Sequence, residues 1–248
     1  MGVFGGHPRD RDWKTDVAQK AADLMEEAAN GIYNHTFSGV YYGTRKDEKR
    51  KRKRKGAKAT PLEEKIPRRG PIRPKTMGNS MGGGQEAPMG FFNSVLHTIV
   101  LTGLLASEPF QRIAGFTNGL FQTYAPDLHV HYSTTLDHLH QWNHQLKRNF
   151  LPSISVFTAA TFNFGLRTIT YPHLDFANLA WGWCAITALG DFDPDKGGHL
   201  ILFSFTQYTP AGIFRFVANG FRSDVDVNAS DVRRNRWVEG LKMYRRWE

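Results

Sequence analysis

Residues 167–200 read RTITYPHLDFANLAWGWCAITALGDFDPDKGGHL, and this stretch decides the fold. It alternates short runs of β-branched and aromatic residues with turn-forming residues, which is typical of strands joined by tight turns. Similar runs stand nearby: SVFTAATFNF at 155–164, GHLILFSFTQY at 198–208 and IFRFV at 213–217. Several short strands separated by turns predict a sandwich or barrel.

Two regions before this block have the composition of helices. In residues 12–30 the apolar positions recur at three- and four-residue steps, and Gly31 predicts the end of that helix. Residues 91–148 are mainly helical by composition. Their apolar stretch, 91–106, is too short to span a bilayer and predicts a buried helix.

The excess of positive charge is confined to one segment. The chain of 248 residues has a formal net charge of +9, and residues 45–58 hold ten Lys or Arg and two acids, which leaves the rest nearly neutral. This distribution argues against nucleic-acid binding by the whole domain. Seven basic residues are consecutive: Lys49, Arg50, Lys51, Arg52, Lys53, Arg54 and Lys55. The run is typical of a nuclear-localisation or phosphate-contacting segment, with DNA as the expected partner, and equally of a solvated loop.

Cysteine usage favours an intracellular location. Cys184 is the single cysteine, so no disulfide forms within the chain, which suits a reducing compartment. Because Cys184 stands in an apolar run, we expect a small core residue. Residues 1–7 lack the apolar stretch of a signal peptide. The sequence therefore predicts an intracellular protein, and a nuclear one if the basic run acts as a localisation signal.

His173 and Asp175 are the candidate metal ligands. They end a strand-like run, and side chains two residues apart in a strand point the same way. One imidazole and one carboxylate can then reach a single metal, as in the facial triads of non-haem iron(II) oxygenases. The spacing alone is a weak signal, and a surface turn is the alternative.

Two other groups of metal-ligating residue types carry less weight. His140 and His144 stand four apart on a predicted helix, a spacing that can bind zinc, but no Cys or acid stands at a suitable spacing. A helix face with scattered His is favoured there. Asp191, Asp193 and Asp195 suggest calcium but lack the EF-hand pattern, which favours a turn with solvated acids.

Residues 167–200 resemble a fungal family of iron(II)/2-oxoglutarate dioxygenases that travels with mobile elements in mushroom-forming fungi. That family is related to the TET/JBP enzymes, which oxidise the methyl group of thymine or 5-methylcytosine. The stretch SFTQYTPAGIFRFVANGF at 204–221 is similar to the family's closing segment. FGGHPRDRDW at 4–13, GGGQ at 82–85 and RIAGF at 112–116 are further points of resemblance. The resemblance covers most of the chain except the basic insertion.

The resemblance implies a double-stranded β-helix, a jelly-roll-like barrel with helices packed around it. It also implies iron(II) and 2-oxoglutarate as cofactors, with His173 and Asp175 on the first two iron ligands. In the family, several tens of residues follow the GGHL strand and carry further strands, the distal iron His and an Arg that grips 2-oxoglutarate. Here Leu202 runs directly into Phe203, and no His follows His199.

The third iron ligand and the 2-oxoglutarate clamp therefore have no counterpart by position. His199 and Asp193 are weak candidates for the third ligand, and Arg215 is a weak candidate for the clamp. We expect weak or no dioxygenase activity from an α+β protein whose barrel is incomplete. Missing strands leave unpaired edges, so we also expect marginal stability. The alternative is a non-catalytic remnant or a DNA-associated protein that uses the basic segment.

These observations divide the chain into five parts. They are an N-terminal helical segment at 1–44, a basic, Pro- and Gly-rich loop or linker at 45–90, a helical support region at 91–150, a residual β-helix core at 151–221 and a C-terminal helix at 222–248.

Overall fold

The structure is a computed structural model that describes residues 3–33, 73–82, 84–164, 178–190, 203–223 and 242. A π-helical segment, Trp13–Gln19, continues as α1, and the α-helices are α1 (Lys20–Tyr33), α2 (Val95–Ala106), α3 (Glu108–Tyr124), α4 (Pro126–Trp142) and α5 (Ala211–Ala218). The strands are β1 (Arg73–Ser80), β2 (Met89–Gly90), β3 (Ala159–Phe164), β4 (Ala185–Leu189) and β5 (Phe203–Tyr208). The chain is an α+β protein with a five-stranded sheet and flanking helices.

β3 lies at the centre of the sheet. The strand order is β2-β1-β3-β5-β4, and all neighbouring strands are antiparallel. Lys75 pairs with Phe162, and Phe162 pairs in turn with Phe205. At the β4 side, Leu189 pairs with Phe203. Because directly opposed residues project on the same side, this register decides which side chains meet on each face.

One face of the sheet is buried under helices. Ala160, Phe162 and Phe164 alternate along β3, and each is at most 1% exposed. They share one core with Phe205 and with buried residues of α1, α2 and α3. Phe110 of α3 meets Phe162 edge to face, with ring centroids 5.1 Å apart. Each buried Phe of this kind contributes about 1.5–3 kcal/mol to the free energy of unfolding.

A second core joins α4 to the segment before β4. The hydroxyl of Tyr132 donates to the carbonyl oxygen of Trp183 at 3.1 Å and accepts from its backbone N–H at 3.0 Å. Phe121 stacks on the Trp183 ring with centroids 5.3 Å apart, and Phe157 and Phe214 complete the cluster. These contacts fix the entry into β4.

Residues 73–80 form a strand within the segment that was predicted to be a loop. β1 pairs with β3 from Arg73 to Gly78, so the loop prediction was wrong for these residues. Gly78 has φ +110°, and a Cβ there would overlap the carbonyl oxygen of Thr158, so the glycine allows the close approach of β3. Pro74 and Gly78 are typical of loops when only the local sequence is considered, but both pair with β3 residues in the sheet.

The stretch IFRFV is helical, so its prediction as a strand was also wrong. Residues 213–217 lie within α5, and Ile213, Phe214 and Phe216 are buried. Their spacing places them on one face of a helix with 3.6 residues per turn. The β-branched and aromatic composition suggested a strand, but burial of this face against α4 decides the conformation.

The helical predictions for residues 12–30 and 91–148 are confirmed, although α1 continues past Gly31 to Tyr33. Within α2 only Leu101, Leu104 and Leu105 are buried, so the expectation of a buried helix was wrong for its outer side. No helix in the described part of the chain is both long and apolar enough to cross a membrane. The predicted C-terminal helix, 222–248, lies almost entirely outside the described residues.

The outer side of α2 presents an apolar surface. Phe92 just before the helix is 91% exposed, Val95 is 79% exposed and Ile99 is 65% exposed. We expect Val95→Glu and Ile99→Glu to reduce self-association, measured by light scattering, because they remove exposed apolar area. Each should change the free energy of unfolding in urea by no more than about 0.5 kcal/mol.

The control for this pair is the buried Leu101 of the same helix. We expect Leu101→Ala to lower the free energy of unfolding by about 2–5 kcal/mol, because it leaves a cavity. Equal self-association by the wild type and the two Glu variants would contradict the expectation that this exposed apolar surface promotes self-association.

Acid should destabilise the fold through its histidines. Burial lowers the pKa values of His97, His129, His131 and His140 below the ordinary 6.5. The unfolded chain then takes up protons first as the pH falls, so stability is lost below about pH 6.5. We expect the free energy of unfolding in urea to fall between about pH 7.5 and about pH 5.5.

His131 provides the variant for this pH dependence. Its ring stacks on Phe214 with centroids 5.1 Å apart. We expect His131→Gln to reduce the slope of stability against pH, because one of the depressed pKa values is removed. An unchanged slope would show that His131 does not carry this dependence.

Candidate functional site

Most of the predicted site residues lie outside the described residues. This holds for the metal candidates His173, Asp175, Asp193 and His199 and for the basic run from Lys49 to Lys55. It also holds for Asp191 and Asp195. Arg215 is described: it is partly buried on α5, and its carbonyl oxygen accepts a hydrogen bond from the Asn219 N–H at 2.9 Å. Arg215 therefore lies on a helix, although a strand was predicted for it.

The described residues on either side of His173 and Asp175 lie at opposite ends of the sheet. Phe164 ends β3 at one end. Asn178 forms an isolated bridge with Pro210, just beyond Tyr208, which pairs with Ala159 at the start of β3. The covalent link that carries the two candidate ligands thus joins opposite ends of the sheet.

On β1, β3 and β5 the face of the sheet away from the helices carries five polar side chains, and β4 adds Ile186 and Ala188 to the same face. Thr76, Thr161 and Thr206 form one row across β1, β3 and β5, because each is paired with the next. Asn163 and Ser204 form the neighbouring row. These are the residues that alternate with the buried Phe side chains, so the same register that builds the core also collects them.

Hydrogen bonds hold these polar side chains in place. The hydroxyls of Thr76 and Thr161 are 2.8 Å apart, and either can donate. The Asn163 amide donates to the hydroxyl of Ser204 at 2.8 Å. Ser204 is 2% exposed, and Thr76, Thr161 and Asn163 are partly buried. The polar face is therefore an ordered, partly covered surface and not a freely solvated one.

A second polar network ties the end of this sheet to α3. The buried amide of Gln207 accepts from the Ser155 hydroxyl at 2.8 Å and donates to the Thr117 hydroxyl at 2.8 Å. The Asn118 side-chain oxygen accepts from the Val156 N–H at 3.2 Å. These bonds satisfy groups whose burial without partners would cost about 1–3 kcal/mol each. Their role is to position β3 and β5 beneath α3.

The chemistry of the polar face is limited by its residue types. Hydroxyl and amide groups can bind a polar ligand, but none of the five titrates near neutral pH, so they supply no general acid or base. In the part of the chain that the structure describes, no three His, Cys, Asp or Glu side chains lie close enough to hold a metal ion.

Phe203 occupies the region where the resemblance implies the Arg of the 2-oxoglutarate clamp. It pairs with Leu189, and its partly buried side chain packs against the main hydrophobic core. A phenyl ring offers no hydrogen-bond donor, so Phe203 cannot make the two-point contact of an Arg with a carboxylate. The clamp does not fit at this position.

Two further sequence expectations are resolved by the structure. α4 ends at Trp142, so His144 lies outside the helix that was expected to place it beside His140, and the zinc spacing is not realised. Instead, the Nδ1 of His140 lies 3.0 Å from the carbonyl oxygen of Leu146. Cys184 is exposed, which corrects its expected burial: it precedes β4, whose outward Ile186 is 55% exposed.

No protein-family model matches the chain, and no curated protein or solved structure matches it either. The resemblance to the dioxygenase family therefore rests on the motifs quoted above and stays a prediction.

The polar face was not predicted from the sequence, although the sequence contains part of the alternating pattern that indicates it. ATFNF in β3 alternates strictly between apolar and polar residues, and β5 alternates from Ser204 to Thr206, which predicts two different faces. Thr76 could not be found in this way, because β1 stands among Pro and Gly residues. The pairing of Thr76 with Thr161 depends on contacts 85 residues apart.

A double-mutant cycle tests the hydrogen bond between Thr76 and Thr161. We expect Thr76→Val and Thr161→Val each to cost about 1 kcal/mol of unfolding free energy, because each leaves one hydroxyl without its partner. The double variant should cost no more than either single one, because both polar groups are then gone. The measurement is urea unfolding.

Thr123→Val is the matched control, since its hydroxyl bonds within α3 on the exposed side, 2.8 Å from the carbonyl oxygen of Gly119. Its expected cost is within about 0.5 kcal/mol. Strictly additive costs of the two sheet substitutions would show that the hydroxyls do not interact.

Proposed function

We propose that this chain is an iron(II)/2-oxoglutarate dioxygenase-like protein, related to enzymes that oxidise methylated nucleic-acid bases, with an incomplete site. In this proposal the sheet is one layer of an incomplete double-stranded β-helix. A jelly roll packs two sheets face to face. Because α1, α2 and α3 cover one face, the second layer would have to use the polar face. The residues available to line the interior are then Thr76, Thr161, Asn163, Ser204 and Thr206.

The observation that best supports an incomplete site is the direct pairing of β4 with β5. All five residues of β4 pair with β5, from Ala185 opposite Gln207 to Leu189 opposite Phe203. The connection between them consists of residues 190–202 alone. In the family that the motifs resemble, several tens of residues with the distal His and the clamping Arg intervene at this point. Residues 190–202 are fewer than that intervening stretch, which supports the proposal of an incomplete site.

This connection limits what the chain can bind. His173 and Asp175 would offer iron(II) two protein ligands, whereas facial-triad sites use three. Phe203 cannot provide the charge-assisted, two-point hydrogen bonding by which an Arg holds a carboxylate. The residues present therefore suit neither firm iron binding nor 2-oxoglutarate binding, and no catalytic step is assigned to them.

Activity measurements test the proposal directly. With iron(II), 2-oxoglutarate and methylated DNA, we expect the full chain to form no more succinate than the double variant His173→Ala/Asp175→Ala. Anaerobic calorimetry should show weak binding of iron(II) by the wild type and a loss of about tenfold or more in each single variant, because each removes a ligand. His144→Ala is the matched control, since His144 is exposed in the turn after α4.

Robust succinate formation that depends on iron, on 2-oxoglutarate and on His173 would overturn the claim of an incomplete site. Iron binding that is unaffected by either ligand substitution would overturn the dioxygenase relationship itself. Sequencing of the transcript across codons 195–210 separates a true remnant from a skipped exon. Codons 202 and 203 should be contiguous, and an intervening coding segment would replace the proposal with a complete enzyme.

A further inference from the structure

A cluster of basic side chains lies at the edge of β1, between α1 and α2. The Nζ of Lys75 is 3.4 Å from the Nδ1 of His97 and 5.9 Å from the ring centroid of Tyr33. The guanidinium carbon of Arg73 lies 4.9 Å from the same centroid. Arg73 and Lys75 are two residues apart on β1, so both project toward the helices. Two cationic side chains thus lie near the Tyr33 ring, and the His97 imidazole lies beside one of them, Lys75.

The charge of Lys75 is not balanced within this cluster. Lys75 is partly buried, and none of the ion pairs among the described residues pairs it with a carboxylate. Burial lowers the pKa of Lys75, and burial together with the Lys75 charge lowers the pKa of His97. Burial raises the pKa of Tyr33 to about 12, so its hydroxyl stays neutral. A partly desolvated cation without a counterion is unfavourable, and a bound anion would relieve this cost.

The start of α2 adds to the positive potential at this place. Asn93 donates to the carbonyl oxygen of Thr76 at 2.9 Å, which ties the chain before α2 to β1 next to Lys75. Ser94 caps the helix and accepts from the N–H of His97 at 3.2 Å. The N-terminus of a helix carries a partial positive charge that favours anions.

We propose that Lys75, His97 and Arg73 bind a phosphate group, supplied either by a nucleic-acid backbone or by a free phosphate. The site consists only of described residues, and it requires neither iron nor 2-oxoglutarate, so it stands independently of the proposed function. The position of the basic segment in the sequence favours a nucleic acid as the source of the phosphate. The strongly basic residues 45–58 follow Tyr33 and precede Arg73 in sequence, and both of these residues belong to the cluster. A polyanion can contact the cluster and the tethered basic run together.

The experiment has two arms, both with the full chain. In the first, fluorescence anisotropy measures binding of a short labelled single-stranded oligonucleotide over a range of salt concentrations. We expect Lys75→Gln to weaken binding about fivefold to tenfold and to reduce the salt slope by about 1, as for the loss of one phosphate contact. In the second, NMR follows the His97 imidazole during titration with inorganic phosphate. Bound phosphate should raise the pKa of His97 in the wild type and not in Lys75→Gln.

Lys14→Gln is the matched control, because Lys14 is exposed on the π-helical segment, away from β1. It should leave both arms unchanged, and circular dichroism confirms that each variant is folded. Effects of Lys75→Gln in both arms support a nucleic-acid phosphate, and an effect confined to inorganic phosphate supports a free phosphate. Oligonucleotide binding and His97 titration that are the same in the wild type and Lys75→Gln would overturn the site.

Discussion

The rest of the structure depends on one constraint, the strict alternation of apolar and polar side chains along β3, which pairs with β1 and β5. Ala160, Phe162 and Phe164 can lie beneath the helices only if Thr161 and Asn163 project to the opposite side. Since β3 pairs with β1 on one side and β5 on the other, side chains of β1 and β5 are divided between the same two faces. A slip of one residue would bury the polar rows and expose the phenyl rings, which makes this register strongly preferred. The pairing register of β3 with β1 and β5 therefore determines both the buried core and the polar face.

The sequence predicted those parts of the fold whose signal is local. Helical periodicity identified α1, and the alternating runs located β3, β4 and β5. β1 was missed, because Pro74 and Gly78 are unfavourable in an isolated strand and become acceptable only when β3 pairs alongside. IFRFV was assigned to a strand from its composition, whereas contact with α4 makes it a helix. The polar face could be predicted only in part, because β1 completes it from far along the chain.

β1 connects two surfaces that differ in chemistry. Thr76 contributes to the polar face, and its neighbour Lys75 projects among Tyr33 and His97 on the helix side. The polar face offers hydrogen bonds without charge, as suits the interior of an incomplete barrel. The helix side carries the positively charged side chains of Lys75 and Arg73. The phosphate site that we propose on the helix side does not depend on the polar face, because the two surfaces use different side chains of β1.

The proposed incomplete site depends most directly on β4 and β5 being paired neighbours that only residues 190–202 connect. Cross-strand nuclear Overhauser effects in the isotope-labelled full chain measure this pairing. The register predicts contacts between the backbone protons of Ala188 and Ser204 and between those of Ile186 and Thr206. Pairing of β5 with any other segment along the edge now occupied by β4 would contradict the account, because a place for the missing part of the site would then exist.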